Sequence, residues 1–243
     1  MAVLVRYFKM EKHEKRDIWK MFDRISPTYD KVNRILSLGR DRQWRQTVSR
    51  FLPEGKNLRL LDLATGTGDQ LIALFESSAS IASAIGIDLS NEMMEIGKEK
   101  IGHKTYSNRI EWRRADAEEL PFEANTFDAA TFSFGIRNVT DPRRSLTEIY
   151  RTLKPKGRCL ILEFSLPPQP MKTFFLLYLR HILPRVGGYL SKAPSAYRYL
   201  NQTIETFPSG RSFCQLLQEA KFRHVSLHRM ALGAVTLYVG EKG

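Results

Sequence analysis

The chain has 243 residues, 42% of them hydrophobic, and this length suits one α/β domain that carries extra elements. Its formal net charge of +12 is compatible with RNA, anionic lipid or acidic small molecules as partners. The alternative is that the charge only keeps the protein soluble. Two distant cysteines and five scattered histidines argue against a disulfide framework and a metal site, so we expect a reduced, intracellular protein. The longest apolar stretch, at 173–179, is far shorter than the roughly 20 residues of a spanning helix.

Residues 1–52 are polar, basic and helical in pattern, and they are predicted to form an N-terminal helical cap. In the first helix, apolar side chains recur at spacings of three and four, namely Ile18, Met21, Phe22 and Ile25. Pro27 is expected to stop this helix, because proline lacks a backbone N–H and crowds the preceding turn. A second helical segment begins near Tyr29 and is broken at Gly39, before a turn at 53–55.

From Leu58 onward, short apolar runs alternate with helical patterns, which predicts a mostly parallel sheet with helices on both faces. The predicted strands lie at 58–64, 81–90, 109–116, 126–136 and 158–165, and the predicted helices at 68–78, 91–102, 141–157 and 207–222. Residues 224–242 read as two further strands with no helix between them. We therefore predict a doubly wound, seven-stranded, Rossmann-like sheet over 53–243, with an antiparallel edge hairpin and N-terminal helices.

The stretch LRLLDLATGTGDQLIALF, at 58–75, places a strand, a glycine turn and a helix start in succession. Gly66 and Gly68 let the backbone approach a ligand closely, because they carry no Cβ. In open α/β sheets, ligands lie beyond the carboxyl ends of the strands. Asp88 ends the second strand and can accept hydrogen bonds from a ribose there. The combination indicates a cofactor that contains adenosine.

Two classes of adenosine cofactor compete for this turn. A dinucleotide site requires G-x-G-x-x-G, and here Leu71 occupies the third glycine position. Asp69 would also repel a pyrophosphate, and the absence of a G-K-[ST] sequence excludes a P-loop. S-adenosylmethionine fits better, since it has no phosphate and its amino and sulfonium groups are cationic. Asp62 and Asp69 would attract those cations.

The ends of the third and fourth strands supply further candidate contacts to S-adenosylmethionine. The Asp116 carboxylate can accept a hydrogen bond from the adenine amino group, and the backbone N–H of Ala117 can donate one to the ring. A helix cap is the alternative for Asp116, since aspartate is common at that position. Ser133 lies toward the methionine end of the cofactor, and its alternative is a strand hydroxyl that faces solvent.

Several motifs together resemble a class I S-adenosylmethionine methyltransferase, namely LLDLATGTGD, GIDLS, RADAEELPF and LKPKGRCLILEFS. More narrowly, YDKVNRILSLGRDRQW, SFGIRNVTD and RTLKPKGRCLILEFS are similar to the ubiquinone/menaquinone biosynthesis C-methyltransferases of the UbiE type. The resemblance runs from about Phe22 to Gly240. It implies a doubly wound sheet with cofactor contacts at Thr67, Asp88, Asp116, Ala117 and Ser133.

The resemblance also implies a substrate and a location. The substrate would be a prenylated quinol, methylated on a ring carbon so that demethylmenaquinol becomes menaquinol. A 2-methoxy-6-polyprenyl-1,4-benzoquinol is the sister substrate. The protein would work in the cytoplasm, peripheral to the inner face of the membrane, with neither metal nor nucleic acid. A homo-oligomer stays open.

Methylation of a quinol carbon requires that the neighbouring hydroxyl lose its proton, so the site needs groups that favour a phenolate. Arg137 and Asn138, at the end of the fourth strand, are the candidates, with Tyr29 from the N-terminal segment. Arg137 would stabilise the phenolate without acting as a base, because a guanidinium keeps its proton. Asn138 would orient the ring oxygen or a water. The alternative for Arg137 is a surface salt bridge with Asp141.

Residues 166–200 are inserted between the fifth strand and the next helix, and they contain five Lys/Arg and no acidic residue. Apolar side chains crowd the segment at 174–183. A basic and apolar helix suits a bilayer surface, which would also take up the tail of the substrate. The alternatives are an ordinary lid packed on the domain and a dimer contact.

Rival functions also remain at this stage. A basic methyltransferase could modify RNA, but enzymes that methylate nucleic-acid amino groups often carry a Pro-Pro-aromatic motif. Here that place reads Gly-Ile-Arg-Asn at 135–138. The UbiE-type motifs also disfavour a small-molecule O-methyltransferase. A scaffold that binds the cofactor without catalysis stays open.

Overall fold

The computed structural model of the protein describes residues 17–191 and 193–243. An N-terminal layer contains helix α1 (Ile18–Leu36) and helix α2 (Asp41–Val48). The predicted cap at 1–52 is therefore described from residue 17 onward, and its first 16 residues lie outside the described part.

Helix α1 does not stop at Pro27, and the prediction for this boundary is wrong. Pro27 cannot donate to the carbonyl of Asp23, four residues earlier, but the Ser26 hydroxyl donates to that carbonyl at 2.9 Å. The apolar face continues beyond the proline to Val32, which is buried in the cluster that α1 shares with later helices. The Ser26 hydroxyl and the packing of Val32 thus allow the helix to continue past Pro27, although proline usually ends a helix.

The core is one sheet of seven strands. They are β1 (Leu58–Leu63), β2 (Ile81–Asp88), β3 (Ile110–Arg114), β4 (Phe127–Ser133), β5 (Leu153–Phe164), β6 (Arg223–Met230) and β7 (Val235–Glu241). Their order is β3-β2-β1-β4-β5-β7-β6. Strands β1 to β5 are parallel, and β7 is antiparallel to both of its neighbours. The predicted fold class is confirmed, and the order reverses between β1 and β4, where such sheets form their ligand crevice.

Further helices connect the strands. They are α3 (Asp69–Ser77), α4 (Asn91–Gly102), α5 (Pro142–Thr152), α6 (Met171–Leu177), α7 (Leu183–Ser191), α8 (Pro194–Thr206) and α9 (Arg211–Glu219). Helix α5 is shorter than the helix predicted at 141–157, because Leu153 already pairs with Phe127 of β4. Leu61 and Leu63 pack in one apolar cluster, whereas Leu58 and Leu60 belong to another. Both faces of the sheet are thus covered, as a parallel sheet requires.

A third apolar cluster joins α1 to the segment predicted as an insertion at 166–200. Ile25 and Val32 of α1 share this cluster with Leu183 of α7 and Tyr197 of α8. A π-helical segment, Tyr178–Ile182, links α6 to α7. The two segments therefore pack as one helical layer. Across the described residues, no helix has both the length and the apolarity needed to cross a membrane.

Candidate functional site

Two adjacent cavities lie where the helical layer meets the carboxyl ends of the strands. The first, of ≈ 270 Å³, is lined by Gly66, Asp88, Asp116, Ala117 and Ser133 among others. The second, of ≈ 130 Å³, is mostly apolar and lies between the strand ends and helices α1, α2, α7 and α8. The residues that line both cavities are Phe22, Tyr29, Phe134 and Asn138. Two ligands of different chemistry can therefore meet at these side chains.

The glycine turn after β1 needs glycine for two physical reasons. Gly66 and Gly68 both have positive φ, of 53° and 76°, a region that side chains with a Cβ rarely adopt. A Cβ on Gly68 would also lie 2.9 Å from the ring of Trp112 and 3.0 Å from Ile101. The turn thus packs closely against β3 and α4, and only Gly66 of the pair lines the first cavity.

Asp88 organises the floor of the first cavity. One carboxylate oxygen accepts from the Gly66 N–H at 2.8 Å, and the other accepts from the Ser90 N–H at 2.9 Å. Burial raises the pKa of Asp88, although these N–H donors oppose the shift. The carboxylate therefore fixes the glycine turn, and Asp88 lines the first cavity.

Asp116 and Ala117 line the same cavity at the end of β3. The Asp116 carboxylate accepts from the Glu118 N–H at 2.8 Å, and Asp116 forms an isolated bridge with Glu119. A turn follows Asp116 and no helix, so the helix-cap alternative is wrong. This turn presents the carboxylate and the neighbouring backbone to one ligand.

Ser133 ends β4 and is 8% exposed, so the alternative of a solvent-facing hydroxyl is wrong. Its hydroxyl donates to the Gln70 side-chain oxygen at 2.8 Å. The Gln70 amide nitrogen in turn donates to the backbone carbonyl of Arg45 at 3.2 Å. This chain of contacts ties the end of β4 to α3 and to α2, on the wall of the first cavity.

Asp62 and Thr67 lie behind the glycine turn, outside the described lining of the first cavity. Asp62 is 1% exposed and accepts from the hydroxyls of Thr65 and Thr131, each at 2.6 Å. Burial raises the pKa of Asp62 to about 6. Thr67 donates to an Asp30 oxygen of α1 at 2.6 Å. Both side chains therefore stabilise the turn and its surroundings through hydrogen bonds within the protein.

Asp69, which we expected to attract the cofactor, is neutralised by cations of the protein. One of its oxygens contacts Lys100 at 2.6 Å, and the other contacts Arg34 at 3.3 Å. Arg45 and Lys100 hold the pKa of Asp69 below its usual value, against the effect of burial. Asp69 lines a separate, charged hollow beside α1 and α2 and does not line the first cavity as described.

Arg137 lines the second cavity, but its charge is already compensated. Its guanidinium donates to Glu163 at 2.5 Å and to the Phe134 carbonyl at 2.7 Å. Glu163 is fully buried, and burial raises its pKa while Arg137 opposes the shift. The proposed surface pair with Asp141 is wrong, because Asp141 caps α5 by accepting from the Arg143 N–H at 2.9 Å. Arg137 is a buried wall residue.

Asn138 and Tyr29 line both cavities. The side-chain oxygen of Asn138 is buried and has no hydrogen-bond partner among the described residues. The Tyr29 ring packs edge-on against Phe22, with their centroids 6.1 Å apart. Burial raises the pKa of Tyr29, so its hydroxyl stays protonated near neutral pH. A ligand in either cavity therefore meets one open acceptor and one hydroxyl donor.

The sequence reasoning missed Arg45, which also lines the second cavity. Its guanidinium lies 5.1 Å from the centroid of Phe134, and its Nε is buried without a partner among the described residues. Helical spacing was the signal that could have found it. Asp41 and Val48, four residues before and three residues after it on α2, are both buried.

Residues 9–242 match the family described as the ubiE/COQ5 methyltransferase family. The chain belongs to this family. Its relatives include the ubiquinone/menaquinone biosynthesis C-methyltransferase UbiE of Geotalea daltonii, with 44% identity over 97% of this chain and 100% of that protein. The demethylmenaquinone methyltransferase of Bacteroides fragilis is 38% identical over 98% of this chain and 97% of that protein. The resemblance predicted from the sequence is confirmed.

Solved structures support the fold of this ubiE/COQ5 family member. A SAM dependent methyltransferase from Aquifex aeolicus superposes with a TM-score of 0.62 at 17% identity, over 88% of this chain and 98% of that one. A phosphoethanolamine N-methyltransferase from Haemonchus contortus, in complex with S-adenosyl-L-methionine, superposes with a TM-score of 0.60 at 16% identity. The match covers 82% of this chain and 52% of that one. The expected cofactor, S-adenosylmethionine, is confirmed by family and fold. The alternative of an RNA or other small-molecule methyltransferase is not favoured.

Proposed function

We propose that this chain transfers a methyl group from S-adenosylmethionine to a ring carbon of a prenylated quinol and so converts demethylmenaquinol into menaquinol. The corresponding benzoquinol with a methoxy group is the sister substrate. The observation that carries the proposal is the pair of adjacent cavities, one with carboxylates and one apolar, which share Tyr29 and Asn138. The names of the relatives point to the same chemistry.

The first cavity suits a cationic cofactor with an adenosine moiety. Asp88, Asp116, Glu118 and Glu119 line it together with Arg144, whose guanidinium is paired with Glu119 at 3.1 Å. A phosphate-bearing cofactor would meet this acidic lining unfavourably, whereas a sulfonium and an ammonium would not. In our proposal, Asp88 accepts from the ribose, Asp116 and Ala117 bind the adenine, and Ser133 lies near the methionine end. Asp62, Gly68 and Thr67 hold the turn.

The second cavity suits the aromatic ring and the first part of the tail. Its lining includes Phe164, Phe175, Tyr178 and Leu179, beside few polar side chains. The open oxygen of Asn138 can accept from a quinol hydroxyl, and the protonated Tyr29 can donate to a ring oxygen that becomes negative. Arg137 instead fixes the wall, because it binds Glu163 and the Phe134 carbonyl at the same time.

We propose a reaction in two stages, deprotonation of the quinol and then methyl transfer. A quinol hydroxyl gives its proton to water, and the oxygen's charge spreads to the neighbouring ring carbon. That carbon forms a bond to the methyl group as the bond from the methyl group to sulfur breaks, and rearomatisation then releases the proton of the ring carbon. S-adenosylmethionine supplies the electrophilic methyl group when it is bound. The residues that line both cavities hold the two reactants together, which lowers the entropic barrier.

We further propose that the described residues of 17–52 and 166–200 act together as the cover of the second cavity and as a contact with the membrane. Exposed apolar side chains lie on both segments, including Leu38 (86%), Phe174 (64%) and Leu177 (51%). The net charge of +12 would attract anionic lipid, at about 1 kcal/mol per cation near the surface. The protein would then act at the cytoplasmic face of the inner membrane, where the long-tailed quinol resides.

The test is incubation of the purified chain with methyl-labelled S-adenosylmethionine and, in separate reactions, demethylmenaquinol or the benzoquinol. We expect label in a quinol that is heavier by one methylene unit. Asp88→Ala should weaken cofactor binding in calorimetry, whereas Asn138→Ala should keep binding and lower turnover by about 10²-fold. Cofactor binding without any labelled quinol would overturn the proposal in favour of a non-catalytic scaffold.

A further inference from the structure

The two guanidinium groups that line the second cavity differ in how their charge is compensated. Arg137 binds the buried carboxylate of Glu163 at 2.5 Å. Arg45 forms no ion pair with the described residues, and its guanidinium lies over the ring of Phe134 instead of a carboxylate. A buried ion pair has little charge left to offer a ligand, whereas a guanidinium with open donors does.

The position of Arg45 is fixed from two sides. Its backbone carbonyl accepts from Gln70 at 3.2 Å, and Gln70 accepts from Ser133 at 2.8 Å, so α2 is tied to the end of β4. Its guanidinium packs 5.1 Å from the centroid of Phe134, a residue that lines both cavities. The cation is therefore held beside the boundary where a quinol ring would face the cofactor.

The charges that surround Arg45 also favour an anionic ligand. Of the groups that lower the pKa of Tyr29 against burial, Arg45 contributes more than Arg137. Arg45 also lines the charged hollow of Asp69 and lowers the pKa of that carboxyl, but Lys100 and Arg34 already bind Asp69 at 2.6 and 3.3 Å. Asp62 lies deeper and is held by two hydroxyls. The field of Arg45 is therefore directed in part into the second cavity.

We propose that Arg45 is the cation that stabilises the ionised ring oxygen of the quinol during methyl transfer. This assignment rests on the proposed function. The quinol O–H bond breaks, the proton passes to water, and the oxygen anion receives hydrogen bonds from the guanidinium of Arg45. The guanidinium keeps its own proton throughout, so Arg45 acts as an electrostatic catalyst and not as a base.

Ionisation of bound 1-naphthol tests this assignment without any methyl transfer. The chain is saturated with S-adenosylhomocysteine, 1-naphthol is added, and naphtholate absorption is followed as a function of pH. We expect the wild-type protein to lower the pKa of the bound naphthol relative to the free compound. Arg45→Gln and Arg45→Met should both raise it by about one unit, a tenfold change in the ionisation constant, and Arg45→Lys should restore most of the shift.

Arg42→Gln is the matched control, because it removes the same charge from the exposed side of the same helix. It should titrate bound naphthol as the wild type does. The same order should hold for quinol methylation, with kcat reduced more than tenfold in Arg45→Gln and unchanged in Arg42→Gln. Cofactor affinity is measured by calorimetry for both neutral variants, Arg45→Gln and Arg45→Met. The assignment is judged on the variant that keeps this affinity, since lost affinity would indicate a folding defect.

Two results would overturn the assignment. The first is a wild-type naphthol pKa no lower than that of the free compound, and the second is a neutral Arg45 variant that titrates as the wild type does. If the naphthol shift depends on Arg45 but no quinol is methylated, the assignment of an anion site stands and the proposed function fails. The two failures are therefore distinguishable.

Discussion

Asp62 is a buried acid whose ionisation is costly in the folded chain. Its side chain is 1% exposed, and burial raises its pKa to about 6 from an ordinary value of 3.8. An acid with a raised folded pKa binds more protons in the folded state than in the unfolded state between these values. The free energy of unfolding therefore falls as the pH rises through the window from about 4 to about 6.

This window predicts the behaviour of Asp62→Asn, which cannot ionise. Relative to this variant, the wild type should lose about 2 kcal/mol of unfolding free energy between pH 4 and pH 7, at 1.36 kcal/mol per pKa unit. Urea unfolding at several pH values measures the difference. Asp88 and Glu163 have raised pKa values too, so only the difference between the two proteins is informative. Glu54→Gln, at an exposed turn, is the control and should show the same pH dependence of unfolding free energy as the wild type. If Asp62→Asn also shows that pH dependence, the burial of Asp62 does not have the predicted effect.

Individual residues also show how far sequence reasoning reaches into the site. Asp88, Asp116 and Ser133 were predicted at strand ends, and the parallel topology brings all of them to one cavity. The partner of Arg137 could not be predicted, because Glu163 lies within the apolar strand LILEFS, where an acid is rare without a buried partner. Arg45 was missed for a similar reason, since its role depends on which face of α2 meets the sheet.

At the scale of elements, most strands and helices follow from periodicity, whereas their ends depend on tertiary contacts. Helix α1 passes Pro27 because Ser26 replaces the lost donor and Val32 finds a packed partner surface. Strand β5 begins at Leu153 because that residue pairs with Phe127 of β4. Neither contact is visible in the local sequence, so both boundaries were predicted wrongly.

Helix α1 is joined by polar contacts to the two loops that shape the cofactor cavity. Asp30 accepts from Thr67 at 2.6 Å, after β1, and Asp23 accepts from Ser90 at 2.5 Å, after β2. Lys100 of α4 also contacts Asp30, at 2.7 Å. The first cavity is lined by Ile18, Trp19 and Phe22 on the α1 side. We therefore predict that helix α1 loosens before a bound cofactor leaves.

Removal of the Asp30 contacts should therefore speed the release of the cofactor. The charge-assisted bonds to Asp30 are partly solvent-exposed, so about 1 kcal/mol is a reasonable loss, which corresponds to about fivefold. We expect Asp30→Ala to raise the dissociation rate of S-adenosylhomocysteine by about that factor in a displacement experiment. Asp17→Ala, directly before the same helix, is the control, because among the described residues Asp17 forms its ion pair with the exposed Lys20. Equal release rates in the two variants would argue against a closing role for α1.

At the scale of the whole molecule, exposed apolar side chains are concentrated on one part of the surface. Within the described residues, the large exposed ones are Ile35, Leu38, Phe174, Leu177, Ile182, Tyr189 and Leu232. Ile35 lies in the last turn of α1 and Leu38 just after it, and the next four belong to 166–200. Leu232 lies in the turn whose Gly233 approaches Pro167. Each of the three segments contributes to the lining of the second cavity, through Leu36, Phe175 and Ala234. Such clustering is typical of an interaction surface.

This surface predicts binding to vesicles that contain anionic lipid. Phe174 and Leu177 should enter the bilayer boundary, and burial of each is worth about 1.5–3 kcal/mol. Replacing both with serine should therefore reduce flotation with the vesicles more than tenfold, while cofactor affinity in calorimetry stays unchanged because both side chains are exposed. Lys172→Gln with Arg185→Gln should weaken binding mainly at low salt, whereas Lys98→Gln, on α4, should have no effect. Equal flotation of the serine variant and the wild type would mean that these helices act as a lid or dimer contact alone.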